Sequence, residues 1–147
     1  MSIRTFGFLL FFLAGTCFGQ VGEPLCTKHI ETPVYPSIAQ IANVTGKVSI
    51  ALTIDADGKV ADVKATTTES NVPASHLLEA TTVTNIRRWT FAKPPLAPYK
   101  QTISYDYEID KSVPLDGPTK VTFDLPERVT IVASGRSAQP SGSTERN

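Results

Sequence analysis

Val48, Ile50, Leu52 and Ile54 alternate with Lys47, Ser49, Ala51 and Thr53, and the run ends on Asp55-Ala56-Asp57-Gly58. A period of two puts the apolar set on one face of a strand. Gly58 can take positive φ without steric cost, so the chain reverses there and returns as a second strand from Val60 to about Thr67. In the return strand Ala61, Val63 and Ala65 stand against Asp62, Lys64 and Thr66. A hairpin alone is not stable in water, so its apolar face needs a cover from elsewhere in the chain.

Two stretches carry helical signals. Pro33 and Pro36 hold the chain extended, and Pro36 suits the first turn of a helix predicted over about 37–44, where Ile38, Ala39, Ile41 and Ala42 form one side and Gly46 supplies the stop. A second helix is predicted over about 75–89. Its threonines are poor helix formers, but Leu78, Thr82, Ile86 and Trp89 form one stripe at helical spacing, and Pro94-Pro95 forbids continuation. Arg87 and Arg88 fall in its last turn, where positive charge suits the helix dipole. A third strand is predicted over 102–110, with Ile103, Tyr105, Tyr107 and Ile109 set against Thr102, Ser104, Asp106, Glu108 and Asp110. Val121-Phe123-Leu125 and Val129-Ile131-Ala133 make two further short strands separated by Pro126. The periods give two short helices and several short strands, an α+β composition.

The chain of 147 residues accommodates one such domain. Arg4 followed by the apolar run Phe6 to Gly15 has the order of a secretory signal, predicted over 1–19, and the run is too short for an uncleaved bilayer-spanning anchor to be preferred. Residues 20–32 show no period and are expected to be a leader, 33–133 the folded domain, and 134–147 a disordered tail. The product is expected to be exported, periplasmic or secreted. Cleavage leaves Cys26 as a single thiol, which forms no internal bridge.

Reactive chemistry is sparse. Lys plus Arg and Asp plus Glu number 14 each, so no basic surplus exists for nucleic acid. His29 lies in the leader and His76 at a helix start, neither beside a partner suited to acid–base or nucleophilic work. Cys26 with His29 lacks the second pair of a zinc site, and the Asp55–Asp57 turn lacks the closing glutamate of a calcium loop, since that position is Thr66. No catalytic residue, metal, cofactor or small-molecule substrate is expected. The stripe ending in Trp89 and Phe91 reads as core. Tyr35-Pro36 with Gln40 reads equally as a helix start or as the polar side of a binding surface.

The motifs Tyr35-Pro36-Ser37-Ile38-Ala39-Gln40, Gly46-Lys47-Val48, Asp57-Gly58-Lys59-Val60 and Arg87-Arg88-Trp89-Thr90-Phe91, in this order, resemble the C-terminal domain of TonB, the periplasmic energy transducer. The resemblance covers about 35–110. It implies an α+β fold of two layers, two short helices packed on a small antiparallel sheet of three core strands with the C-terminal strands as extras, in a domain that binds the plug of outer-membrane receptors by pairing with a short extended segment, coupled elsewhere to the ExbB and ExbD proton motor in TonB-dependent transmembrane transport. On that reading Thr102, Ile103, Ser104, Tyr105, Asp106 and Tyr107 form the receiving edge, with Gln40 and Tyr35 beside the docked segment. The partner is then a receptor plug or another envelope protein, and a homodimer is a further option. Family transducers carry a long proline-rich spacer, whereas the stretch from Gln20 to Thr32 reaches at most ~45 Å. The alternative is a self-contained structural or assembly protein of the cell envelope, in which residues 119–133 seal the sheet edge.

Overall fold

The computed structural model describes residues 25–73, 76–112 and 117–135. The elements run β1 (Thr27–His29), α1 (Ser37–Ile41), β2 (Gly46–Ile54), β3 (Val60–Ser70), α2 (His76–Ile86), β4 (Thr90–Phe91), β5 (Tyr99–Asp110), β6 (Lys120–Asp124) and β7 (Arg128–Ser134). Five strands form one sheet in the order β3-β2-β5-β7-β6, while β1 and β4 pair separately. Every neighbour pair is antiparallel except β5 with β7, which is parallel. The expected two-layer α+β body is present.

Period-two patterning fixes the inner face. Val48, Ile50, Leu52 and Ile54 of β2, Ile103, Tyr105 and Tyr107 of β5, and Val129, Ile131 and Ala133 of β7 are all buried. Register carries one strand's apolar residue opposite the next: Ile50 faces Ile103, Val48 faces Tyr105, and Tyr105 faces Val129 in turn. Leu78, Ile86, Trp89, Phe91, Tyr35 and Ala39 complete the core from the other layer. Apolar burial of this kind stabilises by roughly 25 cal/mol per Å².

The hairpin turn is built as its sequence demands. Asp55 Oδ1 accepts the backbone N–H groups of Asp57 and Lys59, both at 2.9 Å, and Gly58 adopts φ 83°. A Cβ on Gly58 would stand 2.2 Å from the Phe91 carbonyl oxygen, so the turn needs glycine for space as well as for φ.

Both helices are shorter than predicted. In α1 only Ala39 is buried, while Ile38 and Ile41 stay exposed, so its apolar residues do not form one inward side. The left-handed residue that ends this segment is Asn43, φ 51°, rather than Gly46, which already belongs to β2. Asparagine tolerates that conformation, and Gly46 instead serves close strand contact, since its Cβ would lie 2.6 Å from the Glu69 carbonyl oxygen. The second helix stops at Ile86, which places Arg87 and Arg88 beyond it; Ser75 lies outside the described residues. Its threonines are accommodated because Thr81, Thr82 and Thr84 each donate a hydroxyl to the carbonyl four residues earlier. The predicted stripe of Leu78, Thr82, Ile86 and Trp89 is buried throughout.

The leader prediction is corrected over residues 25–32. Leu25 is buried, β1 pairs with β4, and the Glu31 carbonyl accepts from Asn85 Nδ2 at 2.9 Å and Trp89 Nε1 at 3.1 Å. Polar side chains anchor a backbone whose own sequence is too short to show a period. Cys26 is disulfide-bonded in the full chain, whereas its reading as a single thiol concerns the chain after cleavage. The tail also starts later than predicted, for Ser134 is a buried residue of β7. The predicted signal segment lies outside the described residues, among which no helix is long and apolar enough to cross a membrane.

Candidate protein-interaction edge

The strand predicted to receive a partner, β5, lies inside the sheet. On one side it pairs with β2 from Tyr99 opposite Ile54 to Tyr107 opposite Gly46. On the other side β7 runs parallel to it, from Ser104 opposite Arg128 to Asp110 opposite Ser134. The Ser104 N–H donates to the Glu127 carbonyl at 2.9 Å and extends that seam by one bond. The expectation of an open edge along 102–110 is therefore corrected: only Thr102 and Ile103 of the predicted edge precede the stretch that β7 occupies.

The hairpin of β6 and β7 creates this closure. Val129, Ile131 and Ala133 are period-two apolar residues, so β7 can enter the sheet only with that face inward, and the inner face of β5 sets its register. On the hydrophilic face, Arg128 Nε lies 3.3 Å from Asp106 Oδ2 and ties β7 to β5. At the far end, Gln40 Nε2 donates to the Ser134 carbonyl at 2.9 Å and lies 3.2 Å from the Ser134 hydroxyl. Gln40, placed by resemblance beside a docked segment, thus holds the chain's own β7.

Tyr35 is a core residue. Its hydroxyl donates to the Val44 carbonyl, and its ring meets Tyr107 edge-on with centroids 5.4 Å apart. Tyr105 donates to Asn85 Oδ1 at 3.0 Å, and the Tyr107 and Thr82 hydroxyls are 2.8 Å apart. These bonds satisfy phenols that would otherwise be costly to bury. Burial, reinforced by nearby Tyr107, pushes the Tyr35 and Tyr105 hydroxyls well above the ordinary tyrosine value; burial pushes Tyr107 up to about 12, with the Thr82 hydrogen bond pulling the other way. The inward half of the predicted site, Tyr35, Ile103, Tyr105 and Tyr107, is internal structure. Its outward half, Thr102, Ser104 and Asp106, lies on the hydrophilic face.

Sequence reasoning missed Asn85, Thr82, Arg128 and Ser134 as the polar contacts that lock these strands. A polar residue at helical spacing within an apolar stripe, as Thr82 is, was the available signal. His29 is exposed, with Nε2 3.9 Å from Glu31 Oε2, and His76 is exposed at the start of α2.

A two-layer body with helices on one face and a hydrophilic sheet surface on the other defines a small domain built for contact through strands and surfaces. The family of the Gram-negative bacterial TonB protein C-terminal domain matches residues 31–110, and the chain belongs to that family. Curated proteins give no match to the chain. Domains of this family are non-catalytic protein-interaction modules of the periplasm, which work with outer-membrane receptors and envelope proteins. The match ends at Asp110, the last residue of β5, so β6 and β7 lie beyond it.

Proposed function

We propose that this protein is an exported, non-catalytic interaction module of the cell envelope in which the edge that would take an extended receptor segment is held closed by the chain's own C-terminal hairpin. The carrying observation is the parallel pairing of β7 on β5 from Ser104 to Asp110. A peptide adding along Thr102, Ile103, Ser104, Tyr105, Asp106 and Tyr107 needs, from Ser104 onward, the same flank of β5 that β7 occupies, so the two are mutually exclusive. The protein acts as a self-contained structural or assembly unit while β7 is in place, and strand addition beside Gln40 and Tyr35 requires β7 to leave.

The test compares the intact protein with a chain truncated after Asp116, each titrated with synthetic peptides from receptor plugs. Binding is expected to the truncated chain alone. Equal binding by both would refute closure, and binding by neither would refute inheritance of the strand-addition mode.

A further inference from the structure

We infer that the outer edge of β6 is a self-complementary seam on which a second copy of this chain pairs antiparallel; the inference rests on the hairpin staying in place, as proposed above. Among the described residues no strand lies outside β6, the terminal strand of the sheet. The sequence of β6 is Lys120-Val121-Thr122-Phe123-Asp124. Set against itself about a two-fold axis at Thr122, it brings Lys120 opposite the second copy's Asp124, Val121 opposite Phe123, and Thr122 opposite Thr122. Opposite charges, an aromatic with a β-branched residue, and paired threonines are the cross-strand combinations that stabilise antiparallel neighbours. A closed two-fold contact needs such self-complementarity.

Three features of the structure favour a second copy over a free edge. Among the described residues neither Lys120 nor Asp124 has an ion-pair partner of its own. Phe123 is 37% exposed although its ring packs 6.2 Å from Trp89, so part of an aromatic on the apolar side of the sheet is left uncovered where the second copy's Val121 would lie. The opposite edge of the sheet is guarded, and among the described residues no such device lies on β6. On β3 the Thr67 N–H donates to Glu79 Oε1 of α2 at 2.8 Å, and Glu79 also takes the Thr67 hydroxyl at 2.7 Å, a device that blocks pairing there.

The experiment is sedimentation of the purified full chain from about 10 µM to about 1 mM, since a seam this short stands at the weak end of specific interfaces. A monomer–dimer equilibrium is expected. Lys120→Asp puts two Asp–Asp pairs across the axis and should raise the dissociation constant about tenfold. Adding Asp124→Lys to Lys120→Asp reverses both members and should restore association to within about twofold, which separates pairing from any loss of folding. A monomer throughout, a dimer indifferent to Lys120→Asp, or failure of the double swap to restore it overturns the proposal. None of these readouts depends on receptor peptides, so failure here is distinct from failure of the closure reading.

Discussion

Replacing Gln40 with Met keeps the length of the side chain and removes the amide that reaches β7. In the intact protein that amide donates at 2.9 Å to the Ser134 carbonyl and sits 3.2 Å from its hydroxyl, joining residues 94 positions apart. A hydrogen bond of this kind contributes about 0.5–1.5 kcal/mol net, and the site is only partly shielded from water, so the loss should total ~1–2 kcal/mol. The effect is local, because Gln40 holds the end of β7 and not the β2–β3 hairpin. It therefore appears as faster opening of the β5–β7 seam, by about 5- to 30-fold. Amide hydrogen exchange on the full chain measures it: protection should fall at residues 130–134 and stay within about twofold at 48–54. Equal loss of protection in both segments, or none at 130–134, would refute the claim that Gln40 clamps the closing strand.

Gly58→Ala adds a Cβ 2.2 Å from the Phe91 carbonyl oxygen at a backbone φ of 83°, and should destabilise by roughly 2–5 kcal/mol in denaturant unfolding, against under ~0.5 for Asp57→Ala. A loss below that of the Asp57 control would refute the tight-turn argument. The buried tyrosines predict alkaline sensitivity. Tyr35, Tyr105 and Tyr107 have folded-state values raised above the ordinary 10.0, so their contribution is complete below pH 10 and is lost as pH rises beyond it, because the unfolded chain releases protons that the folded chain keeps. Denaturant midpoints should fall from about pH 10 upward, with tyrosinate absorbance of these residues developing only as the protein unfolds, and Tyr107→Phe should flatten the slope. Normal tyrosinate titration of the folded protein would contradict the burial.

The sheet was legible in the sequence where period two was clean. The β2 pattern, the Gly58 turn, the Ile103–Tyr105–Tyr107 face and both C-terminal strands follow from alternation alone, because one buried face dictates which residues point inward. The Leu78–Trp89 stripe was equally clear. Alternation says which face a strand buries but not which strand lies beside it, and so the same residues of β5 read as an open edge or as a closed one. The parallel β5–β7 seam depends on contacts distant in sequence, such as Gln40 with Ser134, that carry no local signature. Residues 25–32 were illegible for a related reason: they are held by Asn85 and Trp89 donors acting on the Glu31 carbonyl, and not by apolar spacing. The conformation at Asn43 was hidden because the more permissive Gly46 stood nearby.

The order in which these strands appear along the chain has a temporal meaning. Among the described strands β7 comes last in sequence yet lodges between β5 and β6. A polypeptide emerging N-terminus first presents every other strand of the sheet before it, leaving a vacant slot down the flank of β5 until the final insertion. Until that insertion the molecule wears the bare outline of its family, and it is the arrival of β7 that shuts it.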